Sequence, residues 1–203
     1  MPRHWFITST TYGTWLPGDE RGFVSTVHNP PGPRARHNQF GDPYDAAMPG
    51  LKESARSLLK GSPIFLDLAK AEIIAPQFRE TAAYRQWEMH AFSIMTNHFH
   101  IIVTAGEEVH STSILGDFKS YASRALNRRW GKPLNGTWWT ESGSRRPLPN
   151  EKALHEAIDY VLYRQPNPLV IWSNQLGVLV PKAVTAQGAY APRSVREGRG
   201  EGL

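Results

Sequence analysis

Three runs of apolar, β-branched and aromatic residues have the pattern of β-strands. The first, HWFITSTTY at 4–12, alternates in part between apolar and polar positions. The other two, WEMHAFSIM at 87–95 and HFHIIVTA at 98–105, are separated only by Thr96 and Asn97. Because Asn tolerates turn conformations, this pattern predicts one early strand and a later β-hairpin.

Three longer segments place apolar residues at helical spacing. Residues 67–86 have this spacing, with Pro76 as the expected site of a break or kink. Residues 112–130 predict an amphipathic helix with a basic side. Residues 150–165 begin with Asn150, a favourable helix N-cap, and end before a proline. The sequence therefore predicts one helix before the hairpin and two after it.

The stretch between the first strand and the first of these helices is polar and rich in Pro. It covers about 17–65, and only 51–60 has helical character. A segment of this length inside a compact domain is more often functional or disordered than neutral, so we interpret it as an insertion. Further along, GTWWTESGSRR at 136–146 predicts a strand with a basic turn.

This order of elements indicates an α+β fold. It resembles the ferredoxin-like or RRM-like arrangement, an antiparallel sheet with helices on one face. A chain of 203 residues suits a single domain, which we expect to span 1–172 with the insertion included. Residues 173–203 are then a C-terminal extension, and the Gly- and Arg-rich composition predicts disorder from about 185.

Composition narrows the range of partners. The formal net charge of +5 and the sequence pI of about 9.6 favour polyanionic partners without establishing one. The chain has no cysteine, which excludes disulfides, thiolate metal sites and cysteine nucleophiles. No stretch approaches the roughly 18 consecutive apolar residues of a membrane span, and the N-terminus lacks a secretory apolar core. The expectation is a cytoplasmic protein with no membrane partner.

Candidate chemistry begins with His98 and His100 on the second hairpin strand. Side chains two apart on a strand point to the same face, so two imidazoles in this position can share one divalent ion. Two histidines leave such a site short of the usual three protein ligands. On this pattern alone, the pair is as compatible with hydrogen-bonded structural histidines as with a metal site.

The wider segment MTNHFHIIV at 95–103 resembles that of the REP-associated tyrosine transposases, which are single-tyrosine HUH transposases related to insertion-sequence transposases. HUH denotes His, a hydrophobic residue and His, which here occupy 98–100. The likeness extends to Met95 and Asn97 before the motif and to the apolar residues after it. The resemblance implies a catalytic tyrosine on the C-terminal helix.

In that family the tyrosine is followed, within about a turn, by a Gln or Asn that completes the metal site. The corresponding stretch here is AIDYVLYRQPNPLVIW. The resemblance implies Tyr160 as the nucleophile and Gln165 as the third ligand. Tyr163 and Asn167 form the alternative pair, and Pro166 disfavours it because this proline lies inside the turn between them.

The resemblance also implies a reaction. A tyrosine phenol has a pKa of about 10 and needs activation to act as a nucleophile. A divalent ion on two imidazoles and an amide oxygen would orient the scissile phosphate, and this mixture of ligands suits Mg or Mn. The product would be a 5′ phosphotyrosine with a free 3′ hydroxyl, formed on single-stranded or hairpin DNA by a monomer or a homodimer.

Basic residues lie between the histidines and the tyrosine, interleaved with Tyr121, Trp130, Trp138 and Trp139. In single-stranded DNA, phosphates attract basic groups and bases stack on aromatic rings. Taken individually, each of these residues is as compatible with a solvated helix face or a place in the core as with contact to DNA. The candidate DNA-binding residues are Lys119, Arg124, Arg128, Arg129, Arg145 and Arg146.

The sequence thus favours a transposase that cuts and rejoins single-stranded DNA. One alternative is a non-catalytic nucleic-acid-binding protein on the same fold. The other is a metal-dependent hydrolase that uses an activated water. Such a hydrolase needs a carboxylate base beside the histidines, whereas the nearest acids that follow them, Glu107 and Glu108, come after the strand.

Overall fold

The computed structural model of the chain describes residues 1–21, 25–28, 34–37 and 46–181. The strands in these ranges are β1 (Arg3–Thr10), β2 (Ser25–His28), β3 (Arg34–His37), β4 (Glu88–Ile94), β5 (His98–Ala105), β6 (Ser144–Leu148), β7 (Val170–Ser173) and β8 (Gly177–Leu179). The helices are α1 (Pro49–Ser57), α2 (Leu68–Tyr84), α3 (Ser111–Trp130) and α4 (Glu151–Tyr163).

Six of the strands form one open sheet in the order β6-β1-β5-β4-β7-β8, and β2 and β3 form a separate hairpin. Neighbouring strands of the large sheet are antiparallel. The predicted hairpin is formed by β4 and β5, and the Met95 amide donates to the His98 carbonyl at 2.8 Å across its turn. The predicted α+β class with an antiparallel sheet is confirmed.

The sheet is covered by helices on both faces. On one face, Phe99, Ile101 and Val103 pack with side chains of α2 and α3 in the larger core. On the other face, Ala91 and Ile102 pack with the apolar side of α4. The expectation of helices on one face therefore holds for α2 and α3, whereas α4 covers the opposite face. The nearly continuous apolar run of β5 is the sequence signal for a strand that is buried on both sides.

The three predicted helices correspond to α2, α3 and α4. The Asn150 side chain caps α4 by accepting a hydrogen bond from the Ala153 amide at 2.9 Å. Helix α2 continues through Pro76, which lies on the exposed side. There the carbonyl that loses its helical partner can be hydrated. No helix in the described ranges is both long enough and apolar enough to cross a membrane.

The strand predicted over 136–146 differs from the observed structure. Its first half contributes one isolated bridge, between Thr11 and Trp139, and the regular strand β6 begins at Ser144. The two consecutive tryptophans before this point are buried against α3 rather than aligned along the sheet edge. Packing against a helix has therefore replaced strand pairing in this segment.

The sheet extends further along the chain than the predicted domain boundary. Strand β7 pairs with β4, and β8 pairs with β7. Residue 172 therefore lies inside β7, and the sheet continues to Leu179. The sequence pattern did not mark these strands because they are only 4 and 3 residues long. The tail predicted to be disordered from about 185 lies outside the described residues.

Asp19, near the start of the insertion, joins that part of the chain to α1. This carboxylate is 3% exposed and accepts hydrogen bonds from Arg21 Nε at 2.7 Å and Nη2 at 2.9 Å. Lys52 Nζ on α1 lies 3.1 Å from it. Hydrogen bonds from Arg21, and then from Lys52, hold the pKa of the Asp19 carboxyl well below its usual range. Gly18 has φ +85, and a Cβ there would clash with the Met48 carbonyl.

We expect Asp19→Asn to lower the free energy of unfolding by about 1 to 2 kcal/mol at pH 7, because two partly exposed cations lose their buried carboxylate. The folded pKa of Asp19 lies below its unfolded value. Its contribution is therefore complete above about pH 5, where the unfolded carboxyl is ionised, and is lost as the pH falls toward the folded pKa. Urea unfolding at pH 7 and pH 3 measures both effects.

Glu53→Gln is the matched control for this variant. Glu53 also lies on the insertion side, but it is exposed and pairs with Arg56 within α1 at 3.6 Å. Removal of an exposed pair of this kind should cost less than about 0.5 kcal/mol. Equal losses in Asp19→Asn and Glu53→Gln, or a loss for Asp19→Asn that does not shrink in acid, would contradict the assignment.

Candidate functional site

His98 and His100 lie side by side at the start of β5, on the face that α4 covers. Their ring centroids are 4.9 Å apart in an edge-to-face arrangement. Burial lowers the pKa of His98 to about 4, with the Arg21 charge adding to the effect. Burial, with His98 adding, lowers the pKa of His100 to about 3. Both imidazoles are therefore neutral at pH 7, which is the form that can bind a metal ion.

Each of these imidazoles is oriented through its Nδ1 atom. His98 Nδ1 lies 2.6 Å from Asn97 Oδ1, and His100 Nδ1 lies 2.7 Å from Thr8 Oγ1. Thr8 is the direct partner of His100 in the pairing of β1 with β5. A hydrogen bond at one ring nitrogen fixes the ring orientation and the tautomer. The two Nε2 atoms are left for other partners.

Helix α4 brings Tyr160 to the same place. The Tyr160 ring centroid lies 5.8 Å from that of His100 and 5.9 Å from that of Phe6. Phe6 itself lies 5.1 Å from His100, so the three rings form one cluster. Tyr160 is 39% exposed and Tyr163 is 69% exposed. Of the two candidate tyrosines, Tyr160 is the one whose ring contacts a histidine of the pair.

Gln165 lies just beyond the end of α4 and folds back toward the histidines. Its Nε2 donates to the Tyr160 carbonyl at 3.1 Å. Its side chain also interacts with His100, which raises the pKa of that histidine against the larger effect of burial. Since the amide nitrogen is bonded to the helix end, the amide oxygen is the atom available to His100. Asn167, the alternative, has a positive φ of 49.

The segment after β1 forms a further wall beside the histidines. The Trp15 ring lies 6.5 Å from His98 at an interplanar angle of 88°, and the Arg21 guanidinium lies 4.5 Å from the Trp15 ring centroid. Sequence reasoning missed Trp15 and Arg21, together with Phe6 and Thr8 on β1. The alternation of HWFITSTTY was the available signal for the last two, because residues two apart share a face.

A divalent ion fits these residues if an amide completes the set. In the described ranges no three His, Asp or Glu side chains are grouped so that they could hold a metal ion. The histidine pair therefore depends on a different donor for a third protein ligand. The amide oxygen of Gln165, on the same side as His100, is a donor of the hard type that Mg or Mn accepts.

The predicted DNA-binding residues are divided between the two faces of the sheet. Arg146 is the partner of Phe6 in the pairing of β1 with β6, and Arg145 is the partner of Ile7. Arg146 therefore lies on the histidine face. Arg145 lies on the α3 side, where it lines a cavity of about 1020 Å³ together with Lys119 and Arg124. Arg128 and Arg129, which are also predicted DNA-binding residues, are exposed near the end of α3.

Several of these side chains already have protein partners. The ammonium group of Lys119 donates to the carbonyls of Thr140, Glu141 and Ser142, at 3.0 Å to Glu141 and 3.3 Å to Ser142. Burial lowers the pKa of Lys119 to about 8. The Arg124 guanidinium lies 4.9 Å from the Tyr121 ring centroid. Lys119 thus holds the segment that leads into β6.

Of the two interpretations of Trp138 and Trp139, stacking on DNA bases or a place in the core, the structure supports the core. They are only 6% and 2% exposed. The Trp138 indole donates to Asn127 Oδ1 at 2.8 Å, and the Trp139 indole donates to Ser123 Oγ at 2.9 Å. Both rings are core side chains with satisfied N–H groups, whereas Trp130 is 39% exposed.

The surroundings of the histidines offer no carboxylate base within the described ranges. The charged or hydrogen-bonding groups that affect the pKa of His98 and His100 are Arg21, His98 and Gln165. Glu107, which follows β5, is paired with the N-terminal amine instead. The arrangement therefore lacks, among the described residues, the carboxylate base that activation of a water would need.

Comparison with known proteins gives a family match. Residues 65–143 match the family model described as "Transposase IS200 like". This match confirms the family resemblance predicted from the sequence, over the segment that contains both histidines. No curated protein sequence matches the chain.

Two solved structures are similar to the chain. One is a REP-associated tyrosine transposase bound to a REP hairpin, with 14% identity, a TM-score of 0.42, and coverage of 78% of this chain and 64% of that one. The other is a Deinococcus radiodurans R1 protein assigned as a transposase, with 11% identity, a TM-score of 0.43, and coverage of 79% and 89%. The chain thus spans less than two thirds of the first of these proteins.

We expect one lysine side chain to titrate with a midpoint of about 8, because burial disfavours the charged form of Lys119. NMR of the Cε resonances across pH 6 to 11 measures this midpoint, and Lys119→Met identifies the signal by removing it. Since the unfolded lysine keeps its proton to about pH 10, the stability contribution of this group rises with pH between these values. A Lys119 midpoint of 10 or more would contradict its burial.

Proposed function

We propose, from the premise that residues 65–143 match the IS200-like transposase family, that the chain is a metal-dependent tyrosine transposase that nicks and rejoins single-stranded DNA. The observation that carries the proposal is the meeting of a tyrosine, two neutral imidazoles and a glutamine amide at one end of β5. The histidines lie on β5, and the tyrosine and glutamine lie at the end of α4, far along the chain. Together they supply a nucleophile and a set of donors for a divalent ion.

Tyr160 is the nucleophile in this proposal. Its ring is fixed against Phe6 and His100, while its partial exposure leaves the phenol open to a substrate. A strand phosphate that approaches the histidines would therefore meet the phenol without a rearrangement of α4. Positioning of this kind converts a bimolecular attack into an effectively unimolecular one.

His98, His100 and Gln165 are the residues that would hold the ion. Bound to them, Mg or Mn would withdraw charge from the scissile phosphate. The contribution of the chain is to keep both imidazoles neutral through burial and oriented through Asn97 and Thr8. A ligand set that is already neutral and oriented loses little entropy when it binds an ion.

The proposed cleavage is a transesterification. The phenol of Tyr160 loses its proton, its oxygen bonds to phosphorus, and the bond from phosphorus to the 3′ oxygen breaks. That oxygen takes up a proton and leaves as a 3′ hydroxyl. The phosphate then joins the tyrosine oxygen to the 5′ end of the other DNA fragment. Attack by another 3′ hydroxyl reverses these steps and rejoins DNA with no external energy source. A single-stranded region beside a hairpin or a repeat is the substrate we propose.

We expect Tyr160→Phe to abolish covalent attachment to DNA, because it removes the nucleophilic oxygen. The measurement uses labelled single-stranded DNA from the flanks of the gene, incubated with Mg or Mn and separated under denaturing conditions. Tyr163→Phe is the matched control, since it makes the same change on the exposed side of the same helix, and it should retain the adduct.

The opposite result, with the adduct lost in Tyr163→Phe and kept in Tyr160→Phe, would assign the reaction to Tyr163. Binding of the strand by the wild-type protein without any adduct would favour the alternative of a non-catalytic nucleic-acid-binding protein. Release of a free 5′ phosphate without a covalent intermediate would favour the hydrolase.

We expect His100→Ala to weaken Mn binding at least tenfold, because it removes one of the three proposed ligands. Calorimetric titration of the protein with Mn, in the absence of DNA, measures this affinity. His155→Ala is the control: His155 is an exposed histidine of α4, and its Nδ1 contacts the Glu151 carbonyl at 2.8 Å. Equal Mn affinity in wild type and His100→Ala would exclude His100 as a ligand.

A further inference from the structure

Arg145 and Arg146 are consecutive, yet they lie on opposite sides of the sheet. Strand β6 is an edge strand whose only neighbour in the described sheet is β1. Successive side chains of a strand point to opposite faces, and the register pairs Arg145 with Ile7 and Arg146 with Phe6. Ile7 belongs to the core under α2 and α3, whereas Phe6 packs on the α4 side. Only Arg146 therefore faces the candidate site.

The Arg146 guanidinium is held over an aromatic ring of the site. Its Cζ lies 5.0 Å from the centroid of Phe6, and the Phe6 ring contacts both His100 and Tyr160. A guanidinium stacked on an aromatic face keeps its donors free at the edge of its plane. The stacking thus fixes a positive charge beside the cluster of Phe6, His100 and Tyr160.

Among the described residues, the charge of Arg146 is not paired with a carboxylate. Arg21, the other guanidinium near the histidines, gives two hydrogen bonds to the Asp19 carboxylate. Among the residues that the structure describes, no carboxylate lies within 4.0 Å of the Arg146 guanidinium. Arg146 is therefore a cation that the histidine face can offer to an anionic ligand.

We propose that Arg146 binds a phosphate of the DNA strand at the site, and that it orients the scissile phosphate toward Tyr160. This inference rests on the proposed function. The guanidinium can donate two parallel hydrogen bonds to phosphate oxygens. Arg146 thereby acts on the reacting strand, whereas Arg145 and Lys119 belong to the cavity on the other face.

The test compares single-turnover adduct formation in wild type, Arg146→Met and Arg146→Lys, over a range of DNA concentrations. Methionine keeps an aliphatic chain over Phe6 and removes the charge, so it separates packing from phosphate binding. We expect Arg146→Met to lower the rate at saturating DNA at least tenfold, since an oriented donor to the reacting group is lost. Lysine restores the charge without the planar fork and should recover part of that rate.

Arg3→Gln is the control for net charge. Arg3 is an exposed residue of β1, at the end of the strand away from Thr8 and Thr10, and its loss should leave the saturated rate within twofold of wild type. Three results would overturn the inference alone: a saturated rate for Arg146→Met within twofold of wild type, an equal loss in Arg3→Gln, and no recovery with lysine. Failure of the wild-type protein to form any adduct would overturn the proposed function and this inference together.

Discussion

The antiparallel pairing of β1 with β5 is the constraint on which the site depends. It sets Thr8 opposite His100 and Thr10 opposite His98, and it sets Phe6 on the same face, one pair further along. Because side chains alternate along a strand, a slip of one residue would carry every one of these groups to the other face. Strand β6 pairs with the other edge of β1, so that Arg146 lies opposite Phe6. The position of Arg146 is thus fixed by the pairing that also orients the histidine ring.

Burial gives this face its chemical character. A strand with one solvated face would leave its histidines close to their usual pKa, with the charged form accessible near neutrality. Here α4 covers the face, and both imidazoles are neutral because the charged form is disfavoured away from water. The same helix that removes water also carries the tyrosine. Coverage of the sheet on both faces is therefore a condition for the site as well as for the fold.

The sequence predicted those features that depend on neighbouring residues along the chain. The hairpin of β4 and β5, the Asn150 cap, and the placement of His98 and His100 on one face all follow from local spacing. Thr8 and Phe6 were missed because their role depends on the register between β1 and β5. Thr8 and His100 are 92 positions apart in sequence, and alternation within β1 does not specify which residues of β5 it pairs with. The roles of Trp138 and Trp139 stayed open for a related reason, since burial against α3 is decided by tertiary packing. The position of Gln165 relative to His100 likewise depends on where α4 ends, which the spacing along the chain does not fix.

The end of α4 links Tyr160, the proposed nucleophile, with Gln165, the proposed third metal ligand. The carbonyl of Tyr160 accepts hydrogen bonds from the Arg164 amide and from the Gln165 side chain. The residue with the phenol and the residue with the amide are therefore linked by a direct hydrogen bond. A displacement of the helix end that swings the tyrosine away from the strand would draw the glutamine away from His100 in the same movement. Release of a covalently held DNA end and loosening of the ion would then be a single mechanical event.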